Sequence, residues 1–319
     1  MAPPPAHPQS FTCGPGHSGH EYGVTPMSLN GVFELASYKR GQIPIKSVQQ
    51  ELTDALESGD VVSLPSLDFP LSKEEEGLLD PRILAQERSV AYTPTTGKIS
   101  GTCCIGPEKK RLMDLMSRYA KTVRELAGLL FPYYKDKLRL MRTSLRPSPM
   151  GGPASSWRKD DTRLRLDAYP SHPSGDNRIL RVFCNVNPQD KPIVWRLGER
   201  FDEVARHYSK GIGQPPFLAA GLKYVLRLTK TMQTEYDYVM LKMSDAMRAD
   251  DAYQARVEAK PISFAPRTTW ACFTDQVSHG VLSGQHELVQ TIFVPVEAMW
   301  DTKKAPLRYL ERLRNRDLT

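Results

Sequence analysis

The feature that most constrains the fold is a series of short segments with twofold apolar and polar alternation, which begins after residue 136. Each segment ends at Pro, Gly, Asn or Asp, and such a pattern is typical of half-buried antiparallel strands. A barrel or sandwich of short strands is therefore predicted for residues 137–300. The segments are KLRLMRTSLRP, TRLRLDAYP, RILRVFCNVNP, PIVWRLG, TTWACFTDQVSHGVLSG and ELVQTIFVPV.

The preceding part of the chain has the helical period instead. Val48, Leu52 and Leu56 recur at helical spacing, and Gly59 is expected to stop this helix before the short extended segment VVSLPSL. A second, longer helix opens at Pro107 and carries a continuous apolar stripe, which predicts a side that faces the core. The stripe consists of Leu112, Leu115, Met116, Tyr119, Val123, Leu126 and Leu130.

Composition separates a first segment from the rest of the chain. Residues 1–30 are rich in Pro, Gly, Ser and His and bury too little apolar surface to offset the entropy of ordering, so a disordered arm is predicted. The remainder is predicted to form one α+β domain with four parts: a mixed helical part (31–136), a strand core (137–300), a helical insert within it (216–254) and a C-terminal helix (305–318).

Charge and cysteine usage limit the partners and the compartment. The chain has 43 Lys and Arg against 36 Asp and Glu, a net charge of +7, which favours anionic partners. Its 5 cysteines include no CxxC pair, which predicts reduced thiols in a cytoplasm rather than a zinc site or disulfide scaffold. No signal peptide or membrane-spanning run is seen. The basic side of the long helix is interpreted as a solvated face, and no nucleic-acid partner is expected.

Polar residues interrupt the apolar faces of two predicted strands. In TRLRLDAY, Arg163, Arg165 and Asp167 point to one side. In RILRVFCNVN, a mixed face suggests a lumen that holds an anionic ligand, although an edge strand with ordinary ion pairs fits this segment equally well. That face comprises Ile179, Arg181, Phe183, Asn185 and Asn187.

A histidine late in the series suggests a metal. Ser283-Gly284-Gln285 is interpreted as a tight connection that places His279 near the end of one strand and Gln290 in the middle of its partner strand. His279 taken alone is typical of a structural histidine. Together with Asp167 it becomes a candidate iron(II) ligand, since non-haem oxygenases use two histidines and one carboxylate.

Several long motifs, in order from about residue 43 to the C-terminus, resemble the Kdo 3-hydroxylases: SWRKDDTRLRLDAYPSHP, RILRVFCNVNP, VWRLGERF, DDAYQ, TTWACFTDQVSHGVLSGQHELVQTIFVPV and PLRYLERL. This resemblance implies a double-stranded β-helix (cupin-like jelly roll) flanked by helices. It also implies iron(II) and the cosubstrate 2-oxoglutarate, with ascorbate as an accessory. The expected reaction is hydroxylation at C3 of 3-deoxy-D-manno-oct-2-ulosonic acid (Kdo) in the lipopolysaccharide inner core, with Kdo-lipid A or another anionic glycolipid as acceptor. The expected location is cytoplasmic, peripheral at the inner membrane.

The chain departs from the family's metal motif. Where the family has His-x-Asp, this sequence has Arg165-Leu166-Asp167, while Asp167 and His279 match the other two ligand positions. Arginine stays protonated and does not ligate iron. Three interpretations follow: an impaired member that only binds an anionic sugar or 2-oxo acid, a two-ligand site completed by water, or recruitment of His172 as a substitute.

The resemblance also requires a basic partner for 2-oxoglutarate, yet residues 280–302 contain neither Lys nor Arg. Arg181 and Arg146 are the predicted carboxylate partners because a guanidinium binds a carboxylate through two hydrogen bonds. Additional hydrogen bonds are predicted from Asn185 and Gln290, with lumen packing as the alternative role. Contacts to the acidic sugar or a lipid A phosphate are predicted for Arg158 and Lys159, with surface ion pairs as the alternative.

Overall fold

A nine-stranded sheet organises the computed structural model, which describes residues 31–152, 154–170, 172–215 and 233–319 and the backbone of strand β1. Its strand order is β1-β2-β3-β10-β7-β12-β6-β4-β5, and every described pair is antiparallel except β2 with β3. Strands from both halves of the sequence therefore share one sheet. The strands are β1 (Met27–Leu29), β2 (Val32–Glu34), β3 (Val61–Leu64), β4 (Val90–Thr93), β5 (Lys98–Ser100), β6 (Arg139–Arg146), β7 (Asn177–Asn185), β10 (Thr269–Phe273) and β12 (Glu287–Pro295).

A smaller sheet faces this one. It has the order β11-β8-β9, formed by β8 (Ile193–Leu197), β9 (Lys260–Phe264) and β11 (His279–Ser283). An aromatic layer fills the space between the sheets: Phe264 stacks on Trp270 at 4.1 Å between ring centroids, and Trp195 meets Phe183 edge-on at 4.8 Å. The mixed large sheet and the antiparallel small sheet share an apolar interior and, with the flanking helices, make the predicted α+β sandwich.

Helices α1 (Lys46–Glu57) and α3 (Gly106–Leu130) cover the other face of the large sheet, and a single turn, α2 (Lys73–Glu76), precedes α3. The predicted stripes of both long helices are buried, with Leu126 only partly so. Helix α1 ends before Gly59, whose φ of 86° is the left-handed conformation that glycine adopts without strain. Both helix predictions are thus confirmed.

A second helical group packs beside the sandwich: α4 (Phe201–Tyr208), α5 (Glu235–Ala249), α6 (Asp251–Arg256) and α7 (Pro306–Arg314). The predicted insert is present from α5 onward, where Asp250 caps α6 and so separates two helices; residues 216–232 lie outside the described residues. Helix α7 is shorter than the predicted 305–318, because Asn315 turns left-handed with φ 52°. No helix of the described chain is long and apolar enough to cross a membrane.

Three sequence expectations differ from the structure. Strand β1 falls inside the predicted arm, since it pairs with β2. The segment TRLRLDAYP forms no continuous strand and makes only one bridge, between Arg165 and His279. His279 begins β11 rather than ending a strand, and β11 and β12 belong to different sheets. His279 begins a new strand because the chain turns after β10. In that turn the amides of Gln276 and Val277 both donate to the Phe273 carbonyl.

Candidate functional site

The candidate site lies where residues 161–167 run along the start of β11. Arg165 and His279 exchange two backbone hydrogen bonds of 3.0 Å, so the two positions are fixed opposite each other. Gly280 permits this approach, because a Cβ at that position would lie 2.5 Å from the carbonyl oxygen of Thr162. The backbone therefore brings together two segments that are distant in the sequence.

His279 has the protonation state expected of a metal ligand. Its Nδ1 lies 2.8 Å from the carbonyl oxygen of Val277, which only accepts, so Nδ1 carries the proton and Nε2 keeps its lone pair. Burial, followed by the charge of Arg165, lowers the pKa of His279 to about 4. The ring also stacks on Trp195, with 5.0 Å between centroids. At neutral pH, His279 is an oriented, neutral imidazole.

Asp167 is a buried and ionised carboxylate. Arg181 from β7 forms an ion pair with its Oδ2 at 3.1 Å, and the Tyr169 hydroxyl donates to the same oxygen at 3.2 Å. Burial alone would raise the pKa of Asp167, but the charges of Arg181, His279 and Arg165 lower it to about 2. The predicted face of Arg165 and Asp167 is confirmed, since the intervening Leu166 points into the helical group.

These residues offer a metal two protein donors. Asp167 and His279 supply the carboxylate and imidazole that iron(II) accepts, whereas Arg165 is cationic and supplies none. His172 lies three residues beyond Tyr169 and is partly buried. Across the described ranges, no group of three or more His, Cys, Asp or Glu is placed to hold a metal, so His172 does not join Asp167 and His279. The site fits iron through two protein ligands.

Basic side chains and one carboxylate continue the site along the large sheet. Arg146 at the end of β6 pairs with Asp161 at 2.6 Å, and Glu287 at the start of β12 lies opposite Arg146 in the strand register. Burial raises the pKa of Glu287 to about 7 despite the nearby charges of Arg146, Arg181 and Arg165. The Nε atoms of Arg146 and Arg181 and the Oε1 of Glu287 are buried without a partner among the described residues. An additional oxyanion or water would complete the hydrogen bonding of this polar cluster.

Two residues predicted to bind the cosubstrate are committed elsewhere. Asn185 uses its amide nitrogen on the carbonyls of Lys191 and Phe264, and its oxygen accepts from the Asn187 amide. Gln290 bonds to Thr143 and the carbonyl of Thr291. It also lies opposite Val182, on the sheet face that packs against α1 and α3. These hydrogen bonds occupy both side chains, and Gln290 lies on the opposite face of the sheet from the lumen where it was expected.

The predicted acceptor contacts, Arg158 and Lys159, are exposed and form no ion pair within the described ranges. The Arg158 guanidinium lies 3.9 Å from the centroid of the Trp157 ring, and its carbonyl accepts from Arg248. The carbonyl of Lys159 accepts from Arg88 at 2.9 Å. Arg88, Arg158, Lys159 and Arg248 thus form one basic rim, which Arg88 connects to Asp161.

Sequence reasoning missed Glu287, Tyr169 and Arg248. Glu287 had a detectable signal, because it is the one carboxylate that opens the otherwise apolar run ELVQTIF. Tyr169 lies two residues after Asp167, on the same side of an extended segment, and could have been inferred from alternation. Arg248 lies on α5, and no local pattern connects that helix to residue 165.

Comparison with known proteins agrees with this geometry. The family model for 3-deoxy-D-manno-oct-2-ulosonic acid (Kdo) hydroxylase matches residues 39–317. The crystal structure of the Kdo hydroxylase KdoO, a non-heme Fe(II) alphaketoglutarate dependent dioxygenase, in complex with alphaketoglutarate and Fe(III), is 37% identical with a TM-score of 0.86. That similarity covers 90% of this chain and 97% of KdoO. The cobalt(II) complex of KdoO gives 37% identity over the same shares, with a TM-score of 0.87. No curated protein sequence matches. The jelly-roll fold is thereby confirmed.

Proposed function

Because this chain belongs to the Kdo hydroxylase family, we propose that it is an iron(II)- and 2-oxoglutarate-dependent dioxygenase that hydroxylates C3 of Kdo in a Kdo-lipid A acceptor. The observation that carries the proposal is the buried pair of an ionised Asp167 and a neutral His279 on facing backbone segments. This pair is the donor set that an iron(II) oxygenase needs from its protein, less one histidine.

Asp167 and His279 would hold the iron, which together with 2-oxoglutarate supplies the activation of dioxygen for attack on a C–H bond. Arg181 orients Asp167 and keeps it ionised, and the Val277 carbonyl keeps the His279 Nε2 free of a proton. The aromatic layer around Trp195 excludes water from one side of the imidazole. The protein thus contributes the metal ligands, their orientation and an aromatic wall that excludes water.

Two basic side chains of the polar cluster, Arg146 and Arg181, are the proposed partners of the cosubstrate carboxylates. Arg146 and Arg181 each keep a buried Nε without a partner in the described part of the chain, although each already holds one aspartate. A dicarboxylate bound by both guanidinium groups would supply acceptors for these nitrogens. This arrangement supports the role predicted for Arg146 and Arg181 as 2-oxoglutarate partners.

The acceptor is a carboxylated and phosphorylated glycolipid, and the basic rim with Arg158 and Lys159 is the surface that meets it. A net charge of +7 favours an approach to anionic lipid. The protein accordingly works in the cytoplasm, in peripheral contact with the inner membrane. A binding protein without turnover, the alternative suggested by Arg165, is not favoured by the family membership or by the likeness to KdoO.

Turnover with defined components tests the proposal. Purified protein with iron(II), 2-oxoglutarate, ascorbate and Kdo-lipid A should form succinate and a product that has gained one oxygen atom on the Kdo ring, measured by mass spectrometry. Asp167→Asn should abolish both signals, and the matched control Asp190→Asn, an exposed acid paired with Arg267, should keep them. Neither succinate nor oxygenated Kdo from the native chain contradicts the proposal.

A further inference from the structure

A chain of three arginines borders the candidate site. The Arg165 guanidinium donates to the carbonyls of Asp161 at 3.0 Å and Arg163 at 3.4 Å. Arg163 donates to the carbonyl of Arg248 at 2.8 Å, and Arg248 donates to that of Arg158 at 2.6 Å. These bonds fix the side chains between residues 158–167 and helix α5, so the arginines are held and not simply solvated.

Of these three arginines, Arg163 alone has salt-bridge partners among the described residues. Arg163 pairs with Asp251 at 2.6 Å and with Asp160 at 3.4 Å. Over the described ranges, neither Arg165 nor Arg248 forms a salt bridge, and the Nε of Arg248 is buried without a partner. Both side chains are half-buried, and burial followed by the charge of Arg165 lowers the pKa of Arg248. Asp161 and Asp167 act on both charges from a distance, but neither arginine has a salt-bridge partner, so an added oxyanion would pair with two partly desolvated cations.

The position of the pair identifies the anion. Arg165 and Asp167 project from the same side of their segment, and Arg165 faces His279 across the backbone bridge. An oxyanion on Arg165 and Arg248 therefore lies beside the two metal donors. In Kdo the carboxylate carbon is bonded to C2, and C2 is bonded to C3, so a grip on the carboxylate places C3 close to the reacting centre. A phosphate on the lipid A part of the acceptor is farther from C3.

We propose that Arg165 and Arg248 bind the carboxylate of the acceptor Kdo, and that Arg165 thus has a substrate-positioning role at the place where the family has a metal-binding histidine. This assignment rests on the proposed function for the identity of the sugar. Arg248 stands on α5, apart from the strands β6 and β7 that carry Arg146 and Arg181, whereas Arg165 also acts on Glu287 and so borders both groups.

Calorimetric titration of the metal-free protein tests the assignment. Free Kdo should bind the native chain, and Arg248→Gln should weaken that binding on the order of tenfold or more, since a hydrogen bond to a charged group is lost. Arg165→Gln should weaken it similarly. The matched control Arg206→Gln, on the exposed side of α4 and paired with Asp202, should leave Kdo affinity unchanged. Affinity for 2-oxoglutarate should change less than about twofold in Arg248→Gln.

Ligand changes keep the test valid if a variant does not fold. Kdo methyl ester should bind the native chain as weakly as Kdo binds Arg248→Gln, and inorganic phosphate should not displace Kdo. The assignment is overturned if free Kdo does not bind the native chain, or if Kdo methyl ester binds it as tightly as Kdo does. It is also overturned if phosphate displaces Kdo, or if Arg248→Gln loses as much affinity for 2-oxoglutarate as for Kdo. Kdo binding through Arg248 without turnover would contradict the proposed function alone, whereas turnover with an unaffected Arg248→Gln would contradict this subsite alone.

Discussion

At the scale of single residues, we expect position 165 to set the metal affinity of the proposed iron site. Arg165→His replaces a cation with a third imidazole beside Asp167 and His279, so iron(II) affinity should rise at least about tenfold. Turnover of Kdo-lipid A should rise if the gain from a third iron ligand is larger than the loss of the contact between Arg165 and the Kdo carboxylate. Iron(II) binding in the absence of oxygen, followed by calorimetry with and without 2-oxoglutarate, measures the first effect directly.

Arg163→His is the control for this substitution, because Arg163 lies on the same side of the segment but pairs with Asp251 away from His279. It should leave iron(II) affinity unchanged. An iron(II) affinity that is equal in the native chain and in Arg165→His would mean that position 165 does not face the metal donors.

Glu287 makes the stability of the protein depend on pH. Its pKa is raised by burial from 4.5 to about 7, so between these values the folded chain keeps a proton that the unfolded chain has lost. Stability from this group is complete below pH 4.5 and falls as pH rises to about 7, by about 3 kcal/mol for the full window. Glu287→Gln removes this dependence, and its gain in unfolding free energy over the native chain should be larger at pH 8 than at pH 5.

Urea unfolding at both pH values measures that gain, with the exposed Glu297→Gln as the control. The charged residues that act on Glu287 are Arg146, Arg181, Arg165 and Asp161. A gain in Glu287→Gln that is equal at pH 5 and pH 8 would contradict a raised pKa. The same neutralisation should tighten 2-oxoglutarate binding at pH 8, since one anion leaves the pocket.

At the scale of elements, a buried ion pair joins β7 to the turn after β10. Arg178 donates from Nε to Asp275 at 2.7 Å and from Nη2 to Gln276 at 2.6 Å, and both charged residues are buried. Arg178→Met should cost about 3 to 5 kcal/mol of unfolding free energy, because Asp275 is left buried without its counter-charge.

Denaturant unfolding of Arg178→Met and of the double variant Arg178→Met with Asp275→Leu measures this coupling. The double variant should recover much of the loss, since neither charge is then buried alone. A loss below about 1 kcal/mol in the single variant would mean that the pair is solvated in solution.

How much the sequence predicts differs between elements for a physical reason. Helices α1 and α3 each have one buried side, so their stripes gave correct elements and correct faces. Strand β12 is covered on both sides, by the helices and by the small sheet, so Leu288 and Val289 are equally apolar. Alternation of polar and apolar residues then does not indicate which side chains face the lumen. Gln290 was therefore predicted to face the lumen, whereas it faces the helices.

The residues of the site also differ in how far a local sequence pattern could reveal them. Asp167, His279 and Arg181 were predicted because each is an unusual residue inside an apolar strand pattern and matches or neighbours a motif of the family. Arg248 could not be predicted, since its role depends on how α5 packs against Leu164 and Leu166. Asn185 had the expected orientation, but its hydrogen bonds go to two backbone carbonyls that only the folded chain brings near.

At the scale of the whole molecule, the net charge of +7 should produce reversible membrane binding. The protein should sediment with vesicles that contain anionic phospholipid but not with purely zwitterionic vesicles. Binding should be lost at about 1 M salt, where screening confines electrostatic attraction to about 3 Å. Sedimentation that is equal with both lipid compositions would indicate that charge is not what brings the protein to a membrane.

The bridge between Arg165 and His279 has a consequence for the history of this site. Both hydrogen bonds of the bridge use backbone atoms only, so the bridge itself does not depend on the side chain at residue 165, although that side chain also donates to the carbonyls of Asp161 and Arg163. A lineage can therefore exchange a metal-binding residue for a different one in a single step without losing the fold around it. A crystal structure of Arg165→His should accordingly superimpose on the native backbone at residues 165 and 279.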